Sequence, residues 1–387
     1  MGSPFIMEND VLTRYYGPGG NVVIPDGVRV IAPRAFRNCV TLRSVTVPEG
    51  VTEIGGDFFS EEPSGAFSGC TGLTSVIFPE SLREIGCWAF SGCVSLRSIR
   101  FPHTLDRIGN RAFHNCAGLK SVTLPAGIRE VDYGVFMNCS GLQSVELPES
   151  VGVVREYAFA DCALLSRVVL PAGVRNIDFS AFRNCAALRS IAIPAGATQI
   201  GEFAFENCEN LLSVTIGSAV ERIGESAFQN CPRLTIRTHA GCTAKEYAEN
   251  HHIPVVTYES LKESAYNMVN TAYAPYSHFP VGAALECEDG TVFTGCNVEN
   301  AVYPAGICAE RNAISHAVSQ GQTRYSRIVI ASRGKDFCVP CGICRQVMLE
   351  FSPDMEVVCL NGDGEEESFF LRDLLPHGFS PRNLEKG

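Results

Sequence analysis

A chain of 387 residues with 45% hydrophobic and 9% aromatic residues is too long for one ordinary core, and its composition excludes a disordered protein. A formal charge of −11, without a Lys/Arg cluster able to follow a phosphate backbone, makes polymeric nucleic acid an unexpected partner. No run reaches the roughly 18 apolar residues of a membrane span, and the N-terminal MGSPFIMEND lacks the basic and apolar regions of a secretory signal, so the expectation is a cytoplasmic protein without membrane contact.

Residues 1–20 read as an N-terminal segment, with Met1–Ile6 a tag remnant ahead of a natural start at Met7. A repeat then occupies residues 21–257. AFRNCVTLRSV, beginning at Ala35, recurs as AFSGCTGLTSV, AFSGCVSLRSI, AFHNCAGLKSV and onward to AFQNCPRLTIR. Its cysteine falls at Cys39, at Cys70, and then at every 23rd residue to Cys231, giving nine repeats; the longer first interval holds the insertion around GDFFSEEPSG. Within one unit, LRSVTVP alternates like a strand and ends at a proline that cannot donate to a ladder. The Ala-Phe-x-Asn-Cys segment turns Phe and Cys inward. A coil of this length cannot bury its apolar side alone, so the coils must stack, at about 4.8 Å per rung. The pattern resembles BspA-type leucine-rich repeats, which implies a solenoid of strands and turns, with HAGCTAKEYAENHHIPVVTY as its closing segment. The repeat cysteines read as reduced, buried core residues, since an odd number cannot pair completely and free Cys behaves as a small hydrophobe. A solenoid of this kind offers a surface for a protein ligand, whose identity the sequence does not give.

From residue 258 to 387 the period stops. ESLKESAYNMVNTAY spaces Leu261, Ala265, Met268 and Ala272 as a helix; PVGAALEC and TVFTGCNV form a hairpin about EDG; CAERNAISHAVSQ is a helix, SRIVIAS a strand, CRQVMLEF a helix and MEVVCL a strand. This is an α/β domain. It carries 10 Lys/Arg against 17 Asp/Glu, a field unfavourable to an anionic substrate.

Cys308 opens one of these helices, and Cys341 and Cys344 open another at i and i+3, on one face. Helix N-termini stabilise thiolate through their free N–H groups. Three thiolates with an open fourth position suit a catalytic Zn²⁺, and Glu310 lies near enough to a water there to move its proton without being a ligand. The rival is a structural four-cysteine zinc that includes Cys338. Cys287, Cys296 and Cys359 fall in apolar strand patterns and read as core.

AYAPYSHFPVGAAL, GCNVENAVYPAGICAERNAI, PCGICRQVMLEF and LLPHGFSP, in that order, resemble the small homotetrameric cytidine deaminases across this domain. The resemblance implies an α/β/α fold, one zinc per subunit, and hydrolysis of cytidine or deoxycytidine to the uridine product and ammonia, as in pyrimidine salvage. It places the ribose hydroxyls on Asn297 and Glu299, Phe279 in the pocket, Phe379 in a neighbouring subunit's site, and an Arg hydrogen-bonded to the ligand sulfurs, for which Arg311 and Arg345 are the candidates. Two alternatives stand beside it: a related enzyme such as a blasticidin S deaminase, which shares the cysteine blocks without the NVEN block, and a solenoid binding protein with a vestigial deaminase domain that serves oligomerisation.

Overall fold

The computed structural model describes residues 3–56 and 63–379. Most of the GDFFSEEPSG insertion, together with Met1 and Gly2, lies outside them. The chain forms two compact units, Met1–Leu234 with Cys242–Tyr247, and Thr235–Gly241 with Ala248–Gly387.

The first unit is a solenoid whose coils contribute up to two short parallel strands each. LRSVTVP supplies one of them, as in Leu42–Thr46, Ser75–Ile77 and Ser121–Thr123. The V-x-x-I motif, unassigned in sequence, supplies the second, as in Glu130–Val131, Val153–Val154 and Asn176–Ile177, paired in register. Phe5 and Ile6, read above as part of a tag remnant, lie in a strand Phe5–Glu8 paired antiparallel with Val11–Tyr15. One phenylalanine per coil stacks on the next along the core, with ring centroids from 4.8 Å at Phe36–Phe67 to 5.7 Å at Phe113–Phe136. The cysteine does more than fill space: from Cys70 to Cys231 the repeat thiol donates to the Phe carbonyl of the preceding coil, as in Cys70 Sγ to Phe36 O at 3.1 Å and Cys139 Sγ to Phe113 O at 3.1 Å. The residue before each cysteine is left-handed, with φ of 62° at Asn38, 57° at Asn115 and 62° at Asp161. Asn and Asp accept that conformation at lower cost than other side-chain-bearing residues, which explains the Asn of the repeat. The closing segment contains α1, Thr243–Asn250.

In the second unit, α2 (Tyr258–Val269) is followed by β1 (Val281–Cys287), β2 (Val292–Cys296), α3 (Ala309–Ser319), β3 (Tyr325–Ser332), α4 (Gly342–Phe351), β4 (Glu356–Leu360), β5 (Glu366–Phe370) and α5 (Leu371–Leu374). The sheet order is β2-β1-β3-β4-β5, parallel only between β3 and β4. Strand alternation sorts two cores. Ala283, Leu285, Ile328 and Ile330 face α3 and α4 through Ala313, Ile314 and Met348. Ala284, Val329 and Val358 face α2 through Leu261 and Ala265. The result is an α/β/α sandwich. Cys287 and Cys359 are fully buried in it, while Cys296 is half-buried and donates weakly to Thr271 O at 3.7 Å.

Candidate metal centre

The N-termini of α3 and α4 are brought together by close packing on the sheet. At Gly295, on β2, an added Cβ would lie 2.4 Å from Ala313 N and 2.6 Å from Ala309 O, so only glycine lets the strand pass this close to α3. Cys308 and Cys341 are the N-caps of α3 and α4, and neither thiol is used to cap its own helix. The sulfurs of Cys308, Cys341 and Cys344 all lie within 4.8 Å of one another, the one such cluster of three among the described residues. Cys308 to Cys341 is 3.9 Å and Cys341 to Cys344 is 3.4 Å. Tetrahedral zinc with Zn–S bonds of about 2.3 Å requires sulfurs about 3.8 Å apart, so the donor set fits that ion in type, number and spacing. Cys338 stands outside the cluster, and burial pushes its thiol up to about 12.

The electrostatics favour a negatively charged sulfur at the open side. Hydrogen bonding from Cys344, and then from Arg311, holds the Cys308 thiol down at about 5, while Cys344 is pushed far up by its hydrogen bond to Cys308 and by burial. Binding a cation here would require the thiols to give up their protons. Glu310 is 4% exposed, and burial raises its carboxyl above the ordinary range, against the pull of its own backbone N–H. Arg311 Nη2 lies 3.8 Å from Cys308 Sγ and 3.2 Å from Gly306 O. Arg345, offered in sequence as an alternative sulfur partner, is bonded to carbonyls instead: Nε to Pro340 O at 2.7 Å and Nη1 to Leu374 O at 3.0 Å. Its planar fork is spent on the turn that presents Cys341 and on the end of α5.

The remaining sequence candidates gather around the same helix ends. Val298 exchanges backbone hydrogen bonds with Ile307, at 2.9 and 3.0 Å, setting Asn297 and Glu299 alongside the approach to Cys308. Asn297 Oδ1 accepts from Val281 N at 2.8 Å and its Nδ2 donates to Phe279 O at 3.0 Å, so its amide tethers the segment that carries Phe279. One donor hydrogen and one lone pair of that amide stay available. Glu299 Oε2 accepts from Tyr276 N at 2.9 Å and Ser277 N at 3.1 Å. The Ser277 hydroxyl first, and then these amides, lower the Glu299 carboxyl and keep it ionised. Phe279 and Phe379 are exposed, at 44% and 59%. The Phe379 carbonyl is held by Gln346 Nε2 at 2.6 Å, a contact that sequence reasoning missed although Gln346 sits inside the quoted CRQ motif.

Comparison with known proteins follows the same division. The BspA type Leucine rich repeat region matches in six copies over residues 18–64, 63–166 and 152–241, and the Cytidine and deoxycytidylate deaminase zinc-binding region over 256–361. A probable cytidine deaminase of Dictyostelium discoideum is 46% identical over 33% of this chain and 86% of its own length. A cytidine deaminase of Sporosarcina psychrophila is 45% identical over 29% of this chain and 84% of its own. A crystal structure of a leucine-rich repeat protein from Bacteroides ovatus superposes with a TM-score of 0.53 at 27% identity, over 67% of this chain and 69% of that one.

Proposed function

From a chain that belongs to the cytidine deaminases in its C-terminal third and to the BspA-type leucine-rich repeats before it, we propose an enzyme of nucleoside salvage fused to an interaction module. It is a zinc-dependent cytidine deaminase, converting cytidine or deoxycytidine to the uridine product and ammonia. The functional division runs at 21–257 for the solenoid and 258–387 for the enzyme. The observation that carries the reading is the three-sulfur cluster at two helix N-termini with the buried Glu310 carboxyl beside it.

Zinc held by Cys308, Cys341 and Cys344 supplies the Lewis acidity that makes a water nucleophilic near neutral pH. Glu310 performs the proton transfers: it takes one proton from the attacking water and places it on ring N3 as the water oxygen bonds to C4, then takes the remaining hydroxyl proton of the C4 adduct and passes it to the amino nitrogen as the C4–N bond breaks and the C4 carbonyl forms, releasing ammonia. Its raised affinity for a proton, caused by burial, suits a group that must hold one between the two transfers. Arg311, against Cys308 Sγ, offsets part of the charge of three thiolates. Glu299 and the free capacity of Asn297 receive the ribose hydroxyls, and Phe279 lines the pocket. Arg345 acts through the backbone that bears Cys341.

Phe379 serves a neighbouring subunit in a homotetramer, and exposed Phe279, Tyr303 and Ile343 supply apolar area for such an assembly. A cytoplasmic location agrees with eighteen unpaired cysteines, and no helix among the described residues is long and apolar enough to cross a membrane. A substrate panel tests the reading. Cytidine and deoxycytidine are expected to lose the cytosine absorbance, and cytidine 5′-monophosphate to react at least a hundredfold more slowly, because the site carries the ionised Glu299 within an acidic domain. Preference for the monophosphate would refute the nucleoside assignment.

A further inference from the structure

A second aromatic series runs along the solenoid, apart from the stacked core phenylalanines. Tyr133, Tyr157, Phe179 and Phe203 come from successive coils and meet edge to face, with centroids 5.6, 5.4 and 5.5 Å apart. They are not buried: Phe179 is 36% exposed, and the other three are half-buried. At one end the chain sets its own cation into the series. The Arg111 guanidinium carbon lies 4.7 Å from the Trp88 ring centre and 4.8 Å from that of Tyr133.

The same coils place carboxylates beside the rings. A recess next to Phe179 is lined by Glu156, Asp178, Glu202 and Arg222. Arg155 pairs with Glu130 at 2.7 Å and reaches Asp178 at 3.7 Å. Glu156 and Glu202 have no cationic side chain within ion-pair distance among the described residues. Burial, and then the neighbouring Glu156, raise the Asp178 carboxyl.

We propose that the strip from Tyr133 to Phe203 is a docking surface for an extended, arginine-bearing segment of a partner protein. Its guanidinium groups lie against the rings as Arg111 does and pair with Glu156 and Glu202. Glu202 Oε1 accepts from Ser226 N at 3.2 Å, but an apolar peptide would cover both carboxylates without supplying a counter-charge. A lysine peptide would supply charge without the flat, weakly hydrated group that stacks on aromatic rings. Four coils at about 4.8 Å per rung span about 14 Å, the length of four or five extended residues, so two arginines fill the strip.

The test uses the full-length zinc-loaded chain and a fluorescein-labelled Gly-Arg-Gly-Arg-Gly-Arg-Gly amide, with its lysine and citrulline counterparts, followed by anisotropy at physiological salt. The arginine peptide is expected to bind at least fivefold more tightly than the lysine peptide, and the citrulline peptide not to bind. Tyr157→Asn with Phe179→Ser leaves the net charge unchanged and should weaken arginine-peptide binding at least tenfold; Asn is chosen because φ is 56° at Tyr157. Glu156→Gln with Glu202→Gln, which touches no ring, should weaken it comparably and decides the matter if the aromatic variant fails to fold. Unchanged cytidine turnover and thermal unfolding serve as folding controls. Equal affinity for arginine and lysine peptides, or binding indifferent to either pair of substitutions, would reduce the strip to the general attraction of an acidic chain and overturn the proposal.

Discussion

At the scale of single residues, proton transfer in the proposed site depends on one carboxylate. Glu310 is the buried acid beside the three sulfurs, and Cys308 and Cys344, as metal ligands, would be thiolates with no proton to donate. Glu310→Gln keeps the shape and the metal ligands but cannot carry a proton. It should retain one zinc per chain by elemental analysis, bind cytidine within about tenfold of the wild type, and lose turnover by a factor of at least about 10³. Retention of a tenth or more of the activity would move the proton transfers to another group.

At the scale of elements, the C-terminal unit draws on chain that the repeat pattern assigns to the solenoid. The strand Thr235–Thr238 pairs in parallel with Val255–Thr257 and counts with the deaminase unit. From it, Arg237 Nε reaches Glu286 Oε1 at 2.9 Å, with both side chains almost wholly buried, and a second guanidinium nitrogen donates to Cys287 O. Among the described residues, Glu286 has only a more distant second cation, Arg327 at 3.9 Å. Arg237→Met leaves a buried carboxylate nearly unpaired and should destabilise this unit by about 3 kcal/mol, the lower end for breaking a buried pair, in urea unfolding followed by deaminase activity. Adding Glu286→Leu should restore most of the loss; a double variant as unstable as the single one would contradict this account.

Neither half of that pair stood out in the sequence, because the partners are 49 residues apart and an arginine in a strand with alternating polarity reads as surface. What was legible had local period or spacing: the 23-residue repeat, the i, i+3 cysteines, and the helical run from Leu261. That helix was expected to continue to Tyr273, but it stops at Val269, six residues ahead of Pro275, and Asn270 provides its C-cap. EESFF was passed over as a strand because three polar residues precede its apolar pair; its pairing with β4 along Glu356–Leu360 forms it. The Asn of each repeat was visible as a letter, but its left-handed backbone was not.

At the scale of the whole molecule, the proposed tetramer has a mass of about 167 kDa, four times 41.8 kDa. If Phe379 completes a neighbour's site, mixing Phe379→Ala chains with Glu310→Gln chains should restore part of the activity that neither retains alone, because a hybrid site draws one residue from each. An active species of about 42 kDa by light scattering would remove the need for a neighbour. Closed symmetry would also carry four copies of the solenoid, so a partner with several arginine segments would gain avidity from linkage alone.

The claim on which the rest depends is that the three-cysteine cluster makes this chain a zinc-dependent deaminase. The direct measurement is ammonia release from cytidine by the purified chain as isolated, after zinc removal with a strong chelator, and after return of one equivalent of Zn²⁺. The account predicts one ammonia per uridine formed, loss of at least 99% of the rate without zinc, and recovery on its return; turnover that persists in a chain shown to be zinc-free, or no turnover in one shown to be zinc-loaded, would contradict it.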